Sequence, residues 1–176
     1  MGILRCVVVA ALALSAATPG EPGGTSYYAG TRTIRTADGH AASGLEVAVA
    51  LTFAPADSSI SERIVSGPLG DSPAPIERVV VIRVSGTTFR ATDRERSFSG
   101  EGTMRGAAWS WSGWDGTNRM ENGVVLELSD SLIADSLVSH QRLYDPAHNL
   151  IATIVDRLAR TDSARFGAVR ARILGR

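Results

Sequence analysis

Phe98-Ser-Gly-Glu-Gly-Thr-Met-Arg-Gly-Ala-Ala-Trp109-Ser-Trp111-Ser-Gly-Trp114, followed after a turn by Val124-Val-Leu-Glu-Leu-Ser-Asp-Ser-Leu132, is the stretch that decides the fold. All three tryptophans of the chain lie in it. Asn122-Gly123 stands between its two arms and is the strongest hairpin signal in the sequence. Asn-Gly favours a two-residue type I′ turn, because both central residues need positive φ.

With those two residues as the turn, Glu121 pairs with Val124 and Arg119 with Leu126. Continuing the ladder sets Trp111 opposite Ala134 and Trp109 opposite Ser136. Residues two apart share a face of a strand, so Trp109 and Trp111 stand with Val124, Leu126 and Leu128 on the core side. Trp114 is out of phase and falls outside with Val125 and Glu127. A bulge at Gly113 would bring it back, since one extra residue reverses the phase.

Working outward, the same strand-and-turn grammar recurs. Thr25 to Thr36 is rich in Tyr, Thr and Ile and reads as a first strand, and Asp38-Gly39 supplies a turn. Leu45, Val47, Val49, Leu51 and Phe53 alternate with Glu46, Ala48, Ala50 and Thr52, the pattern of a strand with one buried face. Ser59 to Ser66 is a weaker strand. The prolines of 67–75 exclude a central strand there. Arg78 to Val84 is apolar on both faces, and Thr87 to Thr92 is short. After the tryptophan hairpin, Leu137 to Tyr144 and Leu150 to Leu158 flank Asp145-Pro-Ala-His-Asn149. Asp then Pro starts a type I turn, and His148 or Asn149 must take the left-handed position that ends it. From Asp162 the period changes: Phe166, Val169 and Ile173 recur at helical spacing, with Asp162 or Ser163 as cap and Gly175 as stop. The expected fold is all-β, an antiparallel meander of about ten strands closing into a barrel, with a short C-terminal helix.

The first residues read differently. Met1 to Arg5 is a charged start, Cys6 to Leu14 a short apolar run, and Ser15-Ala-Ala17 a small-residue cleavage site. Nine apolar residues are too few for a bilayer span, which needs about 20. The expectation is a signal peptide over 1–17 and export to the periplasm or the extracellular space. A flexible lead-in follows over 18–24, then a barrel domain over 25–161 and the helix over 162–176. With the leader removed the sole cysteine, Cys6, is lost, which excludes disulfides, thiol nucleophiles and cysteine metal sites. All 18 basic residues are arginines, so Schiff-base and lysine general-base chemistry are excluded. The 18 acids balance them and the charges are scattered, which gives no footprint for nucleic acid or an anionic membrane.

The pattern resembles the lipocalin-like (calycin) barrels, in particular small uncharacterised secreted bacterial ones. The residues that carry the likeness are Phe98-Ser-Gly-Glu-Gly-Thr, Trp109-Ser-Trp-Ser-Gly-Trp114, Asn122-Gly123 and Arg142-Leu-Tyr-Asp-Pro146. Lipocalins carry a Gly-x-Trp near the start of the first strand, and here Gly30-Thr-Arg32 stands in that region without the tryptophan. The resemblance implies a barrel that holds a small apolar molecule.

Most enzyme chemistries find no support. There is no Gly-x-Ser-x-Gly elbow, and no two of His40, His140 and His148 have metal-ligand spacing. Asp115-Gly-Thr-Asn118 with Glu121 lacks the periodic oxygens of a calcium loop. No catalytic residue, metal or cofactor is therefore expected. The expected function is the binding of a small apolar or amphipathic ligand, without nucleic acid and without a membrane span after leader removal. Trp109 and Trp111 would form one wall. Arg83, Arg142, Tyr144 and His140 are the polar candidates, since Arg83 and Arg142 stand within apolar strands. Two alternatives use the same residues otherwise: a barrel-type isomerase or cyclase with His140, Arg142 and Tyr144 as its polar groups, or a carbohydrate or surface-interaction domain with Trp114 exposed as a stacking platform.

Overall fold

A computed structural model of the chain describes residues 23–68, 74–93, 97–107 and 110–176. The leader, most of the lead-in and Trp109 lie outside the described residues. Ten strands follow one another: β1 (Thr25–Thr36), β2 (Ala41–Ala54), β3 (Ser59–Ser66), β4 (Ile76–Ser85), β5 (Thr88–Asp93), β6 (Phe98–Ala107), β7 (Ser110–Met120), β8 (Val125–Ile133), β9 (Ser136–Tyr144) and β10 (Leu150–Thr161). A helix, α1 (Ser163–Leu174), ends the chain. Each strand pairs antiparallel with the next, and β10 returns to pair with β1, from Tyr27 opposite Thr161 to Thr36 opposite Ala152. The meander is thus a closed barrel, which leaves no sheet edge unpaired.

The alternation of β2 explains both of its surroundings. Val47, Val49, Leu51 and Phe53 enter the barrel core, while Ala48 and Ala50 point outward and are nonetheless buried. They are covered by α1, whose Phe166 and Val169 pack on them and on Val65 of β3. Methyl-sized side chains let the helix come close to the sheet, so the outer face is packed rather than solvated. Asp162 caps α1 by accepting a hydrogen bond from the Arg165 N–H (2.7 Å), and Gly175 closes it in the left-handed conformation at φ 68°. Arg172 and Arg170 on the helix reach Glu46 and Glu77 on the barrel in bidentate pairs at 2.6–2.8 Å.

The tryptophan hairpin forms in a shifted register. The Met120 N–H donates to Val124 O (2.8 Å) and the Gly123 N–H to Met120 O (3.0 Å), so the loop is Glu121-Asn122-Gly123. Of its residues only Gly123 has positive φ, 82°. The Asn122 side-chain oxygen accepts from the Val124 N–H (3.2 Å), which satisfies that donor locally. This is the three-residue hairpin with a left-handed glycine rather than the two-residue turn. Arg119 therefore faces Val125, and Asn118 faces Leu126.

The shift turns over β7, not β8: Leu126 and Leu128 still face inward, as expected, now opposite Asn118 and Gly116. Trp114 comes inward with them and is 1% exposed, which corrects its assignment to the outer face. The bulge at Gly113 does form. Arg105 pairs with Gly113 and Gly106 with Trp111, leaving Ser112 as the extra residue and Gly113 at φ 150°. Trp111, 3% exposed, thereby regains the inner face. Gly113 also lets Arg105 cross the outer wall. The guanidinium bonds Asp115, the main-chain oxygen of Asp130 and Ser131 Oγ, the last at 2.9 Å. A Cβ on Gly113 would lie 2.5 Å from Arg105 Nη2 and 2.0 Å from Asp130 O.

Candidate functional site: the barrel interior

The interior has two ends. At the end where β8 turns into β9, inward positions carry Tyr28, Phe53, Ile60, Phe89, Met104, Trp111, Leu132 and Leu137, which pack into one buried cluster. Toward the opposite end, where β7 turns into β8 and β9 into β10, the interior opens into a cavity of about 100 Å³. Its apolar wall includes Val80, Phe98, Met120, Leu126 and Leu128. Arg78 stands at its mouth, 5.3 Å above the Phe98 ring and 3.7 Å from Asp93.

Between the two ends lies a polar layer. Trp114, Asp130, Ser139, Asp156 and Arg32 are successive cross-strand partners on β7, β8, β9, β10 and β1, and all line the cavity. Directly opposite residues on one face of an antiparallel pair are within contact reach, so the layer is a continuous arc of side chains. Arg32 Nε and Nη2 each donate to a carboxylate oxygen of Asp156 at 2.7 Å, a buried bidentate pair. Gln141 adds a hydrogen bond to Ser139 Oγ (2.9 Å) and a longer one to Asp156 (3.5 Å). Glu62 faces the layer from β3.

Three carboxyl groups thus meet at this layer around one guanidinium, Arg32, that is already committed to Asp156, while Arg78 lines the mouth. Burial pushes the Glu62 carboxyl up to about 8, and the neighbouring Asp130 and Asp156 charges push the same way. Burial also raises Asp130, to about 7. Hydrogen bonds from Ser139 and Trp114 oppose the rise, and the charge of Asp156 adds to it. Desolvation disfavours the ionised form of any carboxyl, and a like charge nearby does the same. Asp130 is 6% exposed, and its Oδ1 has no hydrogen-bond partner. A buried polar atom without a partner is uncommon in a folded protein and calls for an explanation.

The residues singled out from sequence fall on both sides of the wall. Trp111 is inside, in the packed end rather than along the cavity. Arg83, His140 and Arg142 are exposed on the outer face. Tyr144 is partly buried there, donating to Glu127 Oε2 (3.1 Å) and stacked on His148 at 4.7 Å. None of these four lines the interior cavity, whose polar lining is Arg32, Glu62, Arg78, Asn118, Asp130, Ser139, Gln141 and Asp156 instead. His140 pairs with Ser129 and Val155, one step out of phase with Asp130 and Asp156, and so cannot act with either. Buried Trp114 offers no stacking platform at the surface.

Among the described residues no group of three or more His, Cys, Asp or Glu is arranged to hold a metal ion, and no helix is long and apolar enough to cross a membrane. No protein-family model matches the sequence, and no curated protein matches it either, so the reading of its function rests on the barrel and its lining.

Proposed function

We propose that the protein is an exported, lipocalin-like barrel that holds a small amphipathic molecule in its interior. Export is inferred from the charged start, short apolar run and small-residue site of residues 1–17. One observation carries the binding reading: a cavity of about 100 Å³ with apolar walls ends on a layer of polar side chains. Ligand sites have this composition, apolar lining for affinity and a few convergent polar groups for orientation. Apolar cavities on the order of 150 Å³ accept a single aromatic ring, which sets the scale of the part that would enter. Native mass spectrometry and solvent extraction of protein taken from its own secretion route test the proposal. A small molecule carried in stoichiometric amount is expected; protein that arrives empty and binds no single-ring compound would remove it.

A second reading, a barrel-type isomerase or cyclase, is favoured by a different observation: Glu62 and Asp130 titrate near neutrality inside the cavity, the range that suits general acid–base work. In this reading the acids replace His140, Arg142 and Tyr144, which stand outside. Turnover of an enolisable or epoxide substrate that is lost in both Glu62→Gln and Asp130→Asn would select it over simple binding.

A further inference from the structure

The polar layer is unbalanced in a way that specifies what should enter. Among the described residues Arg32 is the only cation within it, and both of its bonds go to Asp156. Arg78 is at the mouth beside Asp93, and Arg105 lies on the outer wall, bonded to Asp115 and to the main chain of Asp130. Glu62 and Asp130 are left with no cation of their own, and Oδ1 of Asp130 is a buried acceptor with no donor. Phe89, Phe98 and Trp114 also line the space. Aromatic faces attract cations and do nothing for anions.

Resting on the binding reading above, we infer that Glu62 and the unpartnered Oδ1 of Asp130 form the head-group site for a protonated amine, whose apolar ring or chain fills the cavity. An ammonium brings three N–H donors and no acceptor, which matches an acceptor left without a donor, Asp130 Oδ1, and a Glu62 that no cation of the layer pairs. A carboxylate ligand would add a fourth acid to the layer and is repelled. An alcohol supplies one donor but no charge, and so binds more weakly.

The charges that face the pair set the pH response. From β1 and β10 they are Arg32 and Asp156, which pair with each other, with the Asp156 charge still raising both carboxyls. From β4 and β5 they are Arg78 and Asp93, likewise paired, and from β6 Arg105 acts on Asp130 through the wall. Glu62 and Asp130 are therefore the groups that respond. With no ligand both hold protons near neutrality; a bound ammonium favours their ionised forms, so binding expels a proton. Affinity then rises with pH, by up to about tenfold per unit for each proton released, until the amine itself deprotonates near about 10.

Calorimetric titration of the full chain with benzylamine, benzyl alcohol and benzoate at pH 8 tests this. Benzylamine is expected to bind at least tenfold more tightly than benzyl alcohol, and benzoate not to bind. Benzylamine should bind at least tenfold more weakly at pH 6 than at pH 8. Repeating the titration in buffers of different ionisation enthalpy should register proton release. Asp130→Asn should weaken benzylamine at least tenfold and abolish its preference over benzyl alcohol. Glu62→Gln carries the same test if Asp130→Asn does not fold. Equal or tighter binding of benzyl alcohol, or binding of benzoate, overturns the amine assignment and leaves the ligand-binding reading standing. Failure of all three compounds to bind overturns both.

Discussion

The two ends of the barrel are built on the same alternation and come out differently. At one end the inward positions are large and apolar, and Phe89 occupies the space opened by Gly102 and Gly116, where a Cβ would meet its ring at 2.7 Å. At the other end the inward positions, among them Val80, Phe98, Met120, Leu126 and Leu128, leave a space above a layer that includes Arg32, Glu62, Asp130 and Asp156. The packed end supplies stability through burial. The open end holds charges that weaken stability, and it is where a ligand would act. A barrel can thus separate the two tasks along its axis without changing strand count or topology.

If that division holds, damage should be greatest at the packed end. Trp111→Ala removes a side chain that is 3% exposed and is expected to cost about 3–5 kcal/mol, as other buried aromatic truncations do. Denaturant titration measures it; a loss under about 1 kcal/mol would mean that this end is not the stabilising one.

The open end should instead show itself through pH. In an unfolded chain Glu62 and Asp130 titrate at ordinary values of 4.5 and 3.8, and in the folded protein at about 8 and about 7. Between those limits the folded state holds protons that the unfolded chain has released. Stability therefore falls as pH rises through the window and levels off above it. Thermal melts from pH 4 to 9 should show that decline, and Glu62→Gln should flatten it and raise the melting temperature at pH 9. A melting temperature that climbs steadily across the same range would contradict the raised carboxyls.

Gly113→Ala probes the bulge that joins the two ends. It forces a side chain to φ 150° and against Asp130 O, at about 1–3 kcal/mol for the backbone strain. It should also red-shift the tryptophan emission as Trp111, which the bulge returns to the inner face, loses its buried position. An unchanged spectrum would mean that the bulge does not set the facing of Trp111. Leu126→Ala, at the cavity wall and only partly buried, should have the smallest effect, about 1 kcal/mol from reduced apolar burial, while enlarging the cavity. A cost equal to that of Trp111→Ala would erase the distinction between the ends.

The barrel itself was readable. Thr25–Thr36 and Ser59–Ser66 are strands at the positions the residue pattern assigns, and the helix takes Asp162 as cap and Gly175 as stop. Of the two residues offered for the left-handed turn position, His148 occupies it, at φ 66°. What was missed came from one residue of register. Asn122-Gly123 suits either a two- or a three-residue loop, and the choice depends on where the Asn122 side chain bonds. The facing of Trp114 follows from that choice, and that of Trp111 from the bulge as well.

The acid layer left a fainter trace. Asp130 shares the inward phase of Leu126, Leu128 and Leu132, Asp156 that of Ile154 and Leu158, and Glu62 that of Ile60 and Ile64. A charged residue on the apolar phase of a strand is the signal. Taken singly, each looks like a break in the alternation. Only barrel closure brings β1, β3, β8 and β10 around one space and makes the three breaks a single site. His140 and Arg142 drew attention because they are polar within a strand, yet they hold the outward phase, where polarity is ordinary.

The seam between β1 and β10 has a kinetic consequence. Arg32 and Asp156, which meet across it, are 124 residues apart in the chain. The contact that closes the barrel is thus among the most distant in sequence, and non-local pairing of this kind slows folding to about the millisecond-to-second range. Until β10 arrives, β1 and β9 are bare strand edges, open to pairing with other chains. Shortening the protein from its C-terminus into β10 should therefore yield an aggregating chain rather than a smaller barrel.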